Sequence, residues 1–307
     1  MVRHTSIRHA RRRSLLWREA VDGWLFLLPW LIGFVIFTAG PMIISAVLSF
    51  MEWEILTPPK WVGLANFAAL LRDPLFGLAL WNTVYYTALG VPAYLATSLA
   101  LALLLNLNLR GTPIYRTIYF LPSLTPAVAN ALLWMWIFNP DFGLANVFLN
   151  SIGLPGQKWL FDPQLAKLCF ILMGMWGAGQ QMVIFLAGLQ GIPQELLEAA
   201  SIDGASHWRR FWSVTIPLLS PTIFFNLVIG IIGSFQVFTV AFVATRGGPQ
   251  NATLFYVLYL YRNAFEYFKM GYASALAWML FLIILAFTLV QFRLAKRFVY
   301  YEAEEAR

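Results

Sequence analysis

The sequence predicts an all-α, polytopic membrane protein with six transmembrane helices. Three observations carry that prediction. The 307 residues are 60% hydrophobic and only 11% charged, against roughly 25% charged in soluble domains. The apolar residues gather into six runs, each near the ~20 residues that cross a bilayer. Between the fourth and fifth runs lies a polar island, Gln190 to Pro221, too charged to sit in lipid.

The elements follow in chain order. Residues 1–23 form a basic segment with Arg3, Arg8, Arg11, Arg12, Arg13 and Arg18, read as a cytoplasmic anchor beside anionic lipid. The first run, Trp24 to Phe50, holds Pro29 and Pro41. It is too long for a signal-peptide core and lacks a clear cleavage site, so it reads as an uncleaved span. A polar stretch follows, with Asn66 and Arg72-Asp73-Pro74. The second span is Trp81 to Leu105, and the third is Ile118 to Ile137, with Pro122 and Pro126. A Gly-, Pro- and Asn-rich link, Asn139 to Gln164, leads to the fourth span, Leu168 to Leu189. After the island come the fifth span, Leu218 to Ala244, and the sixth, Tyr272 to Phe292. The membrane-spanning body is expected to cover 24–298, with a cytoplasmic tail over 299–307.

Placing the amino terminus inside puts fourteen Lys and Arg residues on inner segments and seven on outer ones. That bias predicts both termini in the cytoplasm, and the island with them.

Within the island, Pro193 suits the first position of a helix. Gln194 to Ile202 reads as that helix, with Glu195 and Glu198 near its positive end. Leu196, Leu197 and Ala200 offer an apolar stripe for a groove. Gly204 breaks the helix, and Ser206 can cap a second short one running through Trp212. Pro217 and Pro221 mark re-entry into apolar sequence. The expectation is a helix–turn–helix hung below the membrane.

Glu198-Ala199-Ala200, then Asp203-Gly204-Ala205, then Val214-Thr215-Ile216-Pro217 resembles the EAA loop of binding-protein-dependent ABC importer permeases. Val214 and Ile216 are conservative departures from the family pattern. Further matching stretches are Gly63-Leu64-x-Asn66-Phe67, Asn82-Thr83, Ala187-Gly188-Leu189, Thr245-x-Gly247-Gly248-Pro249 and Gly271-Tyr272-Ala273-Ser274-Ala275. They look like the carbohydrate-uptake class, the maltose-type and glycerol-phosphate-type subunits, over nearly the whole chain. The resemblance implies a type I ABC importer transmembrane domain in a bacterial inner membrane. Glu198, Ala199, Ala200, Asp203, Gly204 and Pro217 would couple it to separate ATPase subunits that hold ATP and Mg. It also implies a second permease subunit and an extracytoplasmic solute-binding protein.

The residues limit the alternatives. None of the five lysines precedes Ser or Thr, so the chain has no Gly-x-x-x-x-Gly-Lys-Ser/Thr phosphate loop. The six spans as drawn contain no Asp, Glu, Lys, Arg or His. That argues against a proton-driven carrier and against an intramembrane hydrolase. His4, His9 and His207 lie in aqueous segments, and the single Cys169 sits in an apolar run. The chain is expected to have no catalytic residue, no metal and no cofactor of its own. A neutral, hydroxyl-rich solute needs aromatic faces, amides and room. Trp176, Gly177 and Gln180 in the fourth span, and Gly230, Gly233, Ser234 and Val237 in the fifth, recur at helical spacing and offer these. Glycine and serine at such positions equally serve close helix packing. The expected function is the membrane subunit of an ATP-driven sugar importer. A secondary carrier for a neutral solute is the rival, and glycerol 3-phosphate a less favoured substrate.

Overall fold

The computed structural model describes residues 4–107 and 110–300, and no side chain before Trp17. Most of the amino-terminal arginines and the 301–307 tail therefore lie outside the described side chains. The first helix, α1 (His4–Phe34), runs through residue 23 without a break. A wide turn over Val35–Ala39 joins it to α2 (Gly40–Leu48), with the Gly40 amide donating to the Val35 carbonyl. Pro41 follows that turn, and its missing N–H leaves a carbonyl that the α-helical ladder cannot use. No residue in the most apolar window of this first span is buried.

A two-strand hairpin pairs β1 (Met51–Glu52) with β2 (Lys60–Trp61), antiparallel. Asn66, on α3 (Ala65–Arg72), donates to the carbonyls of Ser49 and Met51 at 2.9 and 2.8 Å. Helix α4 (Pro74–Leu105) begins seven residues before the expected Trp81. Asp73 caps it by accepting from the Leu75 amide at 2.9 Å, and Pro74 fills the first turn.

The third span is not one straight helix. α5 (Thr112–Phe120) tightens into a turn at Leu121–Leu124, and α6 (Ala127–Ile137) leaves it at 98°. Pro126 forces Thr125 into extended geometry (ψ 130°), so the helix must stop there. After α7 (Leu144–Ser151), the fourth span also breaks. α8 (Ala166–Trp176) and α9 (Gly179–Gln190) meet at 49° across Gly177-Ala178.

The polar island forms α10 (Gln194–Ile202) and α11 (His207–Arg210). The second helix of the expected elbow is not separate from the fifth span. α11 passes through a wide turn at Phe211–Thr215 directly into α12 (Ile216–Phe235). Gln236 to Phe238 interrupts that run before α13 (Thr239–Ala244). α14 (Tyr256–Tyr261) precedes the last span, α15 (Met270–Phe298), which extends the expected sixth span at both ends. Among the described residues four helices are long and apolar enough to span a bilayer, and the crossings number up to six when each bent pair is one span.

Helix α4 is the axis of the bundle, packed by α8, α9, α12 and α14. One apolar core surrounds its first half, with Phe170, Phe235, Phe255, Tyr256 and Leu276; a second surrounds Val91, Leu95, Met182, Phe185 and Leu219. Buried polar groups along α4 tie it to its neighbours. Asn82 Nδ2 donates to the Asn251 and Leu254 carbonyls at 2.8 and 3.2 Å. Thr83 Oγ1 accepts from the Tyr256 amide at 2.9 Å. The hydroxyls of Thr87 and Ser234 pair at 2.8 Å, and Ser98 donates toward the Ala178 carbonyl at 3.0 Å.

The hairpin end of the bundle is closed by one carboxylate. Asp73 Oδ2 accepts from the hydroxyls of Tyr259 and, at 2.7 Å, Tyr272, joining α4, α14 and α15. Burial pushes the Asp73 carboxyl up, but the tyrosine hydroxyls and the Leu75 and Phe76 amides together hold it below its ordinary 3.8. Gly271 lies so close to β1 that a Cβ would sit 1.9 Å from the Met51 carbonyl oxygen. Tyr272→Phe should remove one charge-assisted bond and cost about 1.5 kcal/mol of stability, read as a lower thermal midpoint. A carboxyl held low contributes stability above its unfolded pKa and loses it as pH falls through the folded one. The wild-type midpoint should therefore fall below about pH 4, and Asp73→Asn should flatten that fall.

Candidate functional site: the elbow and the span breaks

The elbow is built by local capping rules. Pro193 is the N-cap of α10, with ψ 126°, one position earlier than expected. At the other end, the Ala205 amide reaches the Ala200 carbonyl at 3.0 Å and the Gly204 amide reaches Ser201 at 3.1 Å. That bond pair closes a helix whose next residue is left-handed, and Gly204 has φ 77°. The spacing from Glu198-Ala199-Ala200 to Gly204 is thus a helix end with its stop signal. Ser206 then caps α11, its hydroxyl accepting from the Arg209 amide at 3.3 Å.

α10 projects away from the body. None of its nine residues is buried. The expected stripe is split: Leu197 turns toward the bundle and Ala200 is half-buried, while Leu196 and Ala199 face outward. Ile202 joins the outward set at 86% exposed, a residue missed from the sequence because it falls outside the stripe. Glu198 and Asp203 are exposed beside them. Pro217 sits in the first turn of α12, above the wide turn, where its missing N–H frees a carbonyl.

The residues expected to meet a solute lie at breaks rather than on continuous helix faces. Trp176 ends α8, Gly177 is in the bend, and Gln180 opens α9, so helical spacing does not relate them. Trp176 and Gln180 are both exposed, and Trp176 meets Trp134 edge-on at 6.1 Å. Val237 likewise falls in the interruption after α12, beyond the helix that carries Gly230, Gly233 and Ser234. No recess exists at Gly230, where a Cβ would lie 2.2 Å from the Tyr94 hydroxyl. Ser234 is buried and bonded to Thr87, and Gly233 is open.

The other singled-out stretches hold the framework. Asn82 and Thr83 tie α4 to α14 and its lead-in, and Gly188 brings α9 within 2.6 Å of Thr222 Oγ1 (measured from an added Cβ). Thr253 is buried and bonded to Gly248 and Thr245, which makes Asn251-Ala252-Thr253 part of a packed loop. Lys167, one residue outside the span as drawn, is inside α8 and bonds Asn82 Oδ1 at 3.1 Å. Among the described residues no cluster of metal-ligating side chains occurs.

Residues 93–300 match the profile of the binding-protein-dependent transport system inner membrane component family. The chain belongs to that family. It is 43% identical to a probable ABC transporter permease protein of Bacillus subtilis, over 94% of both chains. It is 36% identical to the lactose transport system permease protein of Rhizobium radiobacter, over 93% of this chain and 97% of that one. A solved bacterial alginate ABC transporter, in complex with its alginate pentasaccharide-bound periplasmic protein, superposes with a TM-score of 0.80 at 26% identity. That match covers 92% of this chain and 97% of the other. The permease is therefore a membrane subunit of a transport system, as the elbow and spans indicated.

Two glycines give a direct check on this geometry. Gly188→Val should push α9 off Thr222 and Leu219 and lower the thermal midpoint. Gly204→Ala should cost about 1–2 kcal/mol for its left-handed backbone, yet leave membrane insertion intact by protease accessibility.

Proposed function

We propose that this permease moves a carbohydrate into the cell, driven by ATP hydrolysis on separate subunits. The observation that carries the reading is α10, a fully unburied helix that presents Leu196 and Ile202 amid carboxylates. Apolar side chains left this exposed on a firmly capped helix suit a groove on another protein. ATP and Mg reside on that partner, because this chain has no phosphate loop. The excess of Lys and Arg on the elbow side supports both termini and α10 in the cytoplasm, and the hairpin side facing out of a bacterial inner membrane.

A second permease, identical or a paralogue, covers the first span. Between Trp24 and Phe37 this span exposes Trp24, Phe26, Trp30 and Phe37 by 63% or more. The sugar passes along the surface formed by the breaks of the two bent spans, where Trp134 meets Trp176, and by the interruption after α12. Trp176 would stack on a ring; Gln180 and Gln236 would bond hydroxyls; Gly177, Gly233 and Val237 leave room. Gly230 and Ser234 stand behind that surface, holding α12 to α4. The relatives named for lactose and alginate support the substrate class, and the latter supports delivery by a solute-binding protein.

The test is uptake of radiolabelled oligosaccharide by proteoliposomes holding the permeases, the ATPase subunits and the binding protein. Gly204→Asp should insert normally but abolish binding-protein-stimulated ATP hydrolysis and uptake. Trp176→Ala with Gln180→Ala should lower uptake while ATPase subunits still co-purify. Full-speed uptake without nucleotide would instead establish a secondary carrier.

A further inference from the structure

The segment His207 to Trp212 carries two arginines, a histidine and three aromatic side chains, Trp208, Phe211 and Trp212, at the point where the polar elbow becomes span five. Its rings cluster: Trp208 meets Trp212 at 5.7 Å, and Phe211 meets Trp212 at 5.3 Å. Trp208 and Trp212 are nonetheless 71% and 53% exposed. They stand one helical turn apart, so both present to the same side. Tryptophan rings so placed, at the edge of a span, prefer the headgroup layer.

A different face of the same segment lines a cavity of about 730 Å³. Its walls are mainly apolar, from Leu103, Leu104 and Leu107 at the end of α4 to Leu189, Ile192 and Leu197. His207 and Arg210 stand in that wall. Arg210 Nη2 contacts His207 Nδ1 at 2.6 Å. The guanidinium can only donate, so that imidazole nitrogen accepts. Among the described residues Arg210 has no carboxylate within salt-bridge distance, and its Nε is buried without a hydrogen-bond partner. A cation left uncompensated against apolar walls is costly, and an anion relieves the cost.

We propose that this cavity is a binding site for an anionic phospholipid, with Arg210 and His207 on its phosphate and the leucine walls along an acyl chain. An amphiphile satisfies both halves of the site at once: a free phosphate would leave the walls wet, and a zwitterionic lipid would bring its own cation beside Arg210 and leave the net positive charge uncompensated. Trp208 and Trp212 seat the segment at headgroup depth beside it. The site anchors the base of the elbow to the membrane at the wide turn that leads into span five. This inference rests on the chain spanning a bilayer and not on the ATPase partner or the sugar.

Native mass spectrometry of the full chain, purified with its accompanying subunits and exchanged into phosphatidylglycerol or phosphatidylcholine, tests it. The wild type should retain phosphatidylglycerol in preference to phosphatidylcholine. Arg210→Gln should abolish that preference, and Arg210→Lys should restore most of it, which separates lost charge from lost folding. Trp208→Ala with Trp212→Ala should lower retention of both lipids. Equal retention of the two lipids by the wild type, or a preference unchanged in Arg210→Gln, would overturn the proposal. So would a variant that keeps its lipid but sheds its accompanying subunits, which would assign the surface to a protein.

Discussion

Helix α4 depends on polar bonds for its neighbours. In water, burying the leucines of such a helix would itself gather other helices around it. In hydrocarbon that drive is missing, and association rests on close packing and interhelical hydrogen bonds. The amide of Asn82 and the hydroxyls of Thr83, Thr87 and Ser98 each reach a different piece of the bundle. One of their targets is a backbone group freed where a helix begins, the Tyr256 amide at the start of α14, and Ser98 adds a second donor to the Ala178 carbonyl at the break in the fourth span, which also accepts the Met182 amide. The spine therefore supplies the partners that irregular backbone needs away from water. The bends in the other spans are tolerable because α4 runs unbroken from Pro74 to Leu105 and is rich in short polar side chains.

Glycines complete what the hydroxyls begin. Gly188, Gly230 and Gly271 each let another element approach to a distance that a methyl group would forbid. Asp73 then gathers the hairpin end by collecting two tyrosines from helices far away in sequence. The opposite end has no such knot. There α10 hangs from two short connections and touches the second core through Leu197, while α11 is continuous with a span. The bundle is pinned at one end and jointed at the other, the arrangement expected of a body that is moved from the jointed side.

Much of this was legible in the sequence. Hydropathy located every crossing, and capping residues located α10 within one position at its start. The polar motifs also stood out, although for most of them the structure shows a framework role. What was not legible follows from the physics of breaks. Proline and glycine in an apolar run are compatible with a kink or a full reversal, and local sequence does not choose between them. Local sequence gives neither the 98° turn at Thr125 nor the 49° bend at Gly177. Helical spacing therefore misled at Trp176, Gly177, Gln180 and Val237, where no helix runs through the set. Asp73 had a readable capping role, since Asp-Pro marks a helix start. Its tyrosine partners came from α14 and α15, which no short-range pattern links to it.

The first span has a consequence for biosynthesis. It is made before the crossings that follow it, yet Trp24, Phe26, Trp30 and Phe37 find no seat among the described residues. Such a crossing waits in lipid, a ready handle for membrane proteases that remove unassembled chains. Under the proposed pairing with a second permease, output of the transporter would be set by the scarcer of the two, with the surplus cleared rather than stored.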